Sequence, residues 1–376
     1  MNRLTITALL STLLLSACAT APVPHDAPIS GLRLIGEQRI ALKQDFQGTS
    51  VGGLSGIDYD AASGSWVLES DDRSEINPAR FYRAHLVYDA DSFSSVQLDS
   101  VHFFTQANGK HYPNLAHARL EQGDQVPDIE TIRVDPRDGS LWYGSEGNRK
   151  VGLDPFVSHA DREGRYLATL PTPAMFKVSK QEQGSRNNMT FEGLSFAPDG
   201  NSLWLGMEAA LYQDAALATP EHGSVVRITQ LGRDGKVLGQ YAYPIEPIAS
   251  APAPGRNGDN GVSEILAVDN HRLLIVERAG VENAEGVYVN HVRIFEMDTT
   301  GATDIAALPA LAGAAYVPAR KRLLLDLEKS GLQRVDNLEG ISWGPRLANG
   351  RRSLVMVSDD NFNPQQVTQI LAFEVL

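Results

Sequence analysis

The chain has 376 residues, with 46 Asp and Glu against 33 Lys and Arg, and a formal net charge of -13. That balance excludes nucleic acid as a partner and a polybasic grip on a membrane surface, while it is compatible with cation binding. One cysteine, Cys18, leaves no disulfide available, so the fold rests on its apolar core and on any metal it binds.

The first residues, MNRLTITALLSTLLLSACATAP, join a short positive start at Arg3 to an apolar run from Leu4 to Leu15. That run has the length of a signal-peptide core and is too short to span a bilayer. Leu15-Ser16-Ala17-Cys18 then matches a bacterial lipobox, and a lone Cys at the cleavage site finds its use in attachment to lipid. Ala19, where Asp would signal retention, resembles the outer-membrane sorting class. The expected division is a signal peptide over 1–17, a lipid-anchored flexible tether over 18–30 and one folded domain over 31–376. The protein would face the periplasm and touch the membrane through its N-terminal lipid only.

Five segments of the remaining chain share one pattern. They are SGIDYDAASGSWVLESDD from Ser55, ETIRVDPRDGSLWYGSEG from Glu130, EGLSFAPDGNSLWLGMEA from Glu192, EILAVDNHRLLIVER from Glu264 and EGISWGPRLANGRRSLVMVSDD from Glu339. Each reads as a β-hairpin. Apolar residues alternate at Ile132 and Val134 and at Leu194 and Phe196, and Pro136 to Gly139 and Pro198 to Gly200 carry turn chemistry. Repeated hairpins without long helical periodicity predict an all-β fold, a β-propeller with one hairpin visible per blade. The spacing exceeds that of a four-stranded blade, so insertions or a hidden blade near Lys321 to Leu327 are expected. Six blades is the favoured count, five or seven are the alternatives, and a pair of β-sandwiches is the rival architecture. Closure would come from Gln369 to Leu376 pairing beside the early strand near Leu32 to Leu42.

In a hairpin the first residue of the leading strand and the last residue of the returning strand lie at the same open end. If all blades share one orientation, with leading strands lining the channel, Asp71, Glu130, Glu146, Glu192, Glu208, Glu264, Glu277, Glu339 and Asp359 gather on one rim. Carboxylates so crowded must be protonated, paired with Arg or bound to a cation. A hard cation with oxygen ligands fits, and Ca²⁺ accepts six to eight of them in loose geometry. Asn187, Asn188, Asn337 and Asn361 could add neutral oxygens. The alternative use of each Glu is to accept backbone N–H groups of a neighbouring blade. Arg73, Arg149, Arg186 and Arg278 are interleaved with the acids, either as ion-pair partners or to hold an anionic substrate. Bound cations together with Arg suit phosphate esters.

Other chemistry is sparse. There is no GxSxG elbow, HExxH motif, Cys cluster or phosphate-binding glycine loop, and His85, His102, His111, His117 and His159 read as surface or loop residues. The pieces GLSGIDYD, ESDDR, DIETIRVD, SEGN, NNMTFEGLSFAPDG, VER, DNLEGISW and VSDDNF occur in this order between about Gly52 and Val375. In them the chain resembles the phytase-like family labelled "esterase-like activity of phytase". The resemblance implies a β-propeller and calcium-dependent phosphoester or ester hydrolysis. The expectation is a lipid-anchored, Ca²⁺-dependent hydrolase of a small anionic ester. Its rim acids Asp71, Glu130, Glu146, Glu208, Glu264, Glu277 and Asp359 hold the metal. Glu192 or Glu339 serves as general base, and Arg73 and Arg278, with Arg149 and Arg186, hold the anion. The rivals are a lactonase-like propeller with one central metal and a non-catalytic propeller that binds a glycan, a peptide or an envelope protein.

Overall fold

The computed structural model describes residues 28–376. The lipobox and Cys18 lie outside the described residues, as does the expected signal peptide. Among the described residues, secondary structure is β-strand with a few short 3₁₀ turns. Twenty of the 22 strands form five four-stranded antiparallel sheets, each a blade, and Gln44–Phe46 and Thr49–Val51 pair as a separate hairpin.

Blade one is Gly56–Asp60, Ser65–Ser70, Arg80–Tyr88 and Phe93–Phe103. Blade two is Ile129–Val134, Leu141–Ser145, Phe156–Ala160 and Tyr166–Leu170. Blade three is Phe191–Phe196, Ser202–Met207, Ser224–Gly232 and Val237–Ile245, and blade four is Gly258–Ala267, Arg272–Glu282, Tyr288–Asp298 and Arg320–Asp326. Blade five is Asn337–Trp343, Ser353–Asp359 and Thr368–Val375, completed by Leu32–Ile40 from the other end of the chain. The leading strands of blades one, two, three, four and five touch in that cyclic order and close a ring around the axis.

The count is therefore five, the lower of the expected alternatives. No hidden blade occupies the long repeat spacing. It is filled by the two outer strands of each blade, and Arg320–Asp326 is the outermost strand of blade four. Closure follows the expected pairing, with Leu32 opposite Val375 and Ile40 opposite Thr368. This joins the first and last described strands in one sheet and so closes the ring.

The hairpin sequences explain the local geometry. The backbone N–H of Gly139 donates to the Asp135 carbonyl, and that of Gly200 to Ala197, each glycine in the left-handed region at φ 74° and 65°. The two matching tryptophans, Trp142 and Trp204, are buried in one apolar cluster that runs between blades two, three and four. Further clusters seal blades four to five, five to one and one to two. A propeller is thus held by apolar packing between adjacent sheets, and its axis is left to small and polar residues.

The axis is closed part-way along. Arg133 points inward from blade two and its guanidinium donates to the carbonyls of Leu194, Ile57 and Ile265, on blades three, one and four, at 2.5–3.0 Å. It also pairs with Glu264 at 2.8 Å, both side chains almost fully buried. Glu264 in turn accepts from Thr131 Oγ1 and from the backbone N–H groups of Leu194 and Ile265. The acid-bearing end of the channel is therefore a cup with a floor, and the other end is a separate cavity beside Asp58, Ser342 and Trp343.

Candidate functional site

The cup is assembled by one irregularity used four times. The first and second strands of blades two to five slip register between Ile129 and Thr131, Phe191 and Gly193, Val262 and Glu264, and Leu338 and Gly340. Each slip is a β-bulge, which turns one extra residue out of the ladder at a chosen point. The bulged residues are Glu130, Glu192, Ser263 and Glu339, and Ser55 occupies the matching place in blade one. On each second strand, or just past its end, a further position points to the same mouth: Asp71, Glu146, Glu208, Arg278 and Asp359. The pairs Asp71 N–H to Gly53, Glu146 N–H to Asp128 and Glu208 N–H to Thr190 fix that alignment at 2.7–2.9 Å.

Two expected members of the rim are thereby corrected. In blade four the equivalent of Glu130 is Ser263, so Glu264 falls one residue past the bulge, on the channel floor with Arg133. The equivalent of Glu146 is Arg278, so Glu277 falls on the other side of its strand. There it accepts from Tyr243 Oη at 2.6 Å and Lys321 Nζ at 2.7 Å. Neither belongs to the cup. Arg149 and Arg186 are also placed elsewhere. Arg149 donates to the carbonyls of Gln181, Gln183 and Ser185, and Arg186 to those of Ala210 and Ala215. Both stack on Tyr212, 4.7 and 4.2 Å from its ring centroid, and so brace loops and do not face a substrate.

The remaining expected residues converge. Asp71, Arg73, Glu130, Glu192, Glu208, Arg278, Glu339 and Asp359 all line one cavity of about 520 Å³. Asn187, Asn188, Asn337 and Asn361 line it too, as do Asp259, Tyr288 and Asn290, which the repeat pattern did not mark. Glu146 stands behind this wall with Asp128, the residue two before Glu130. Asp128 receives Arg73 Nε at 2.5 Å, and Arg73 also donates to Asn188 Oδ1. Arg278 lies 3.3 Å from Glu339 and 3.6 Å from Glu208. Glu339 accepts from Ser55 Oγ and from Asn337 Nδ2. A larger cavity, about 690 Å³, opens at the edge of blade two near Tyr112, Phe156 and Tyr166. Its one carboxylate, Asp154, already accepts from Val178 N–H, so it lacks the crowded charge of the cup.

Burial and mutual repulsion push these carboxyls upward. Burial is the larger cause for Glu130, Glu146, Glu192, Asp71 and Asp359, all held well above the usual carboxylate range, and neighbouring acids add to it. Burial raises Asp128 to about 6 against the pull of Arg73, and Glu208 to about 8 against that of Arg278. Glu339 is raised by burial while Arg278, Ser55 and Asn337 oppose it. Glu69, fully buried with neither carboxylate oxygen bonded, is raised well above its ordinary value by burial first. Backbone strain collects at the mouth as well. Asn188, Asn361, Phe362 and Ser74 sit at φ between 47° and 59°, a region L-residues adopt only when their surroundings hold them there. At Gly53, φ +60°, an added Cβ would meet Asp71 Oδ1 at 2.1 Å, so glycine is required for that carboxylate's approach.

Two sets of three carboxylates offer oxygens within 4.8 Å of one another: Asp128, Glu130 and Glu146, and Glu146, Glu192 and Glu208. Glu146 Oε2 and Glu192 Oε2 are buried without a hydrogen-bond partner. Buried oxygens that accept nothing are costly unless a cation or a proton meets them. The donor set is all oxygen, from carboxylates backed by amides, and fits a hard divalent cation.

The phytase-like family, described as having esterase-like activity of phytase, matches residues 49–362. The chain belongs to the phytase-like family. Among curated proteins there is no match. Solved structures similar to this phytase-like chain include the tail fibre of Staphylococcus aureus phage P68, at 11% identity and TM-score 0.38, covering 91% of this chain and 53% of the fibre chain. The chain thus spans about half the length of that fibre. The periplasmic gluconolactonase of Pseudomonas aeruginosa is similar at 12% identity and TM-score 0.36, covering 92% of this chain and 95% of that one. The catalytic domain of a Coprinopsis cinerea α-L-arabinofuranosidase is similar at 9% identity and TM-score 0.38, covering 94% and 93%.

Proposed function

We propose that this phytase-like chain is an envelope-anchored hydrolase of phosphate esters or related anionic esters that works with a bound divalent cation, Ca²⁺ by the chemistry of its donors. The observation that carries the reading is the cup itself: a walled, one-ended cavity with partnerless buried carboxylate oxygens at and behind its wall and a half-buried arginine in it. Asp128, Glu130, Glu146, Glu192 and Glu208 would hold the cation, which supplies Lewis-acid polarisation of the ester. Arg278 orients the anion. Its guanidinium is half-buried in the cavity wall, 3.3 Å from Glu339 and 3.6 Å from Glu208, and a phosphoryl or carboxyl oxygen entering the cavity can take one of its donors. Glu339 is the candidate proton acceptor, since Ser55 and Asn337 fix its orientation and burial raises its basicity. Glu192, assigned the same role from sequence, is better placed as a ligand because it belongs to an acid triad.

The test is a panel of phosphate monoesters, phosphodiesters, carboxylic esters and lactones, each with Ca²⁺ and with chelator. Hydrolysis of a phosphate ester that chelator abolishes is the expected result. Glu339→Gln should lower kcat by about 10²- to 10⁴-fold. Turnover of no substrate under any condition would leave a non-catalytic binding module.

The anchor is part of the same reading and rests on Leu15-Ser16-Ala17-Cys18. Cys18→Ser should release the protein from the membrane fraction and end incorporation of labelled palmitate. Incorporation that survives the substitution would remove the anchor. Among the described residues no helix is long and apolar enough to cross a membrane.

A further inference from the structure

The five acids proposed as ligands do not form one group. They fall into two triads that overlap only at Glu146. The first, Asp128, Glu130 and Glu146, belongs wholly to blade two. The second spans the seam to blade three through Glu192 and Glu208. Blades two, three and five carry an acid at both mouth positions, whereas blade one has Ser55 and blade four has Ser263 and Arg278; in blade five Glu339 is already met by Arg278 and Asp359 by Asn337. Among the mouth acids, the buried oxygens left without a partner are those of Glu146 and Glu192, on blades two and three.

Glu146 is the hinge between the triads. One oxygen accepts from Thr190 N–H, from the start of blade three, which fixes the carboxyl plane across the seam. The other oxygen, Oε2, is buried and accepts nothing, and so does Glu192 Oε2 beside it. Charge points the same way. Arg73 on Asp128 and Arg278 near Glu208 set at most two positive charges against these five carboxylates. Ionised, the group keeps three negative charges. One divalent cation still leaves it negative and unable to attract an anionic ester. A second makes it positive.

We propose that the cup holds two divalent cations bridged by the Glu146 carboxylate, one in the blade-two triad and one in the triad that crosses to blade three. This rests on the proposed cation-dependent reading and specifies its site. A carboxylate bridge of this kind sets metal ions about 3.5–4 Å apart, close enough for paramagnetic ions to couple.

The test uses the purified chain with Ca²⁺ in calorimetry and Mn²⁺, another oxygen-preferring cation, in electron paramagnetic resonance. Two Ca²⁺ per chain and an exchange-coupled Mn²⁺ spectrum at two equivalents are expected. Asp128→Asn should remove one equivalent and Glu208→Gln the other, whereas Glu146→Gln should weaken both by at least about tenfold. If Glu146→Gln does not fold, the Mn²⁺ spectrum of the unaltered chain decides alone. Saturation at one equivalent, or two uncoupled Mn²⁺ signals, overturns the bridged pair while leaving a cation-dependent hydrolase standing. Binding of neither ion overturns both.

Discussion

Arg133→Met should cost the fold about 3–5 kcal/mol in urea unfolding, with little change in the slope of the transition. Arg133 ties blades one, two, three and four together at the axis, through three carbonyls and Glu264. Removing it strands Glu264, whose burial already raises it to about 7 even with Arg133 beside it. The double variant Arg133→Met with Glu264→Met should recover much of that loss, because two apolar side chains replace a buried ion pair with no charge left over. An Arg133→Met transition within about 0.5 kcal/mol of the parent, the range of an ordinary surface change, would show that apolar packing between sheets holds the ring closed without the axial staple.

The second large effect concerns calcium and pH together. A cation that binds the folded state alone, at a hundred times its dissociation constant, stabilises it by roughly 2.7 kcal/mol. For a domain of this length that is about 4 °C in melting temperature per site. In chelator, the raised carboxyls set the pH dependence. Their folded values lie above the unfolded ones, with Asp128 at about 6 and Glu208 at about 8. The folded state therefore holds protons that the unfolded chain has released. Their contribution is fully present below about pH 4 and is lost as pH rises through 6 and then 8. The chelated protein should melt progressively lower between pH 5 and pH 8. Millimolar Ca²⁺ should remove that decline, so the two curves separate as pH rises. Glu192→Gln should blunt the separation, and Glu163→Gln, at an exposed turn, should not. Curves that coincide at every pH would remove the cation from the cup and leave its acids as protonated staples.

The sequence carried the hairpins, their shared orientation, the closing pair and most of the mouth. Its failures have one dominant physical cause. A β-bulge shifts every later side chain to the other face of its strand, and nothing in the alternation announces it. Aligning blade four on its glutamate, as EILAV against ETIRV, is natural by letter. The structure aligns SEILA with ETIRV, so Ser263 and Arg278 take the mouth while Glu264 and Glu277 turn inward. The clue was present in the glycines: Gly56, Gly193 and Gly340 follow the mouth residue in three blades, and Glu264 fills that place in the fourth. Arg149 and Arg186 failed for a different reason. Their partners are carbonyls of loops tens of residues away, and proximity to an acid in sequence says nothing about those. Asp128 was missed because it lies before the first residue of its repeat; it joins the acids because Glu146 N–H pairs with its carbonyl. The blade count came out at the low end because outer strands, lying at the periphery of the ring, carry weak alternation.

The direction of the closing pair has a practical corollary. In blade five the ends Asn337 and Asp359 lie at the acidic mouth, whereas Trp343 and Ser353 lie at the far face. Leu32 sits opposite Val375, and Ser30 N–H donates to the Leu376 carbonyl, so the first described residues and Leu376 lie together at that far face. A resin or a fused partner joined close to Ser30 or Leu376 therefore meets the base and leaves the mouth facing solvent. Immobilisation at either residue should leave the whole cavity open to small molecules, and the five-bladed body acts as a spacer between the support and the site.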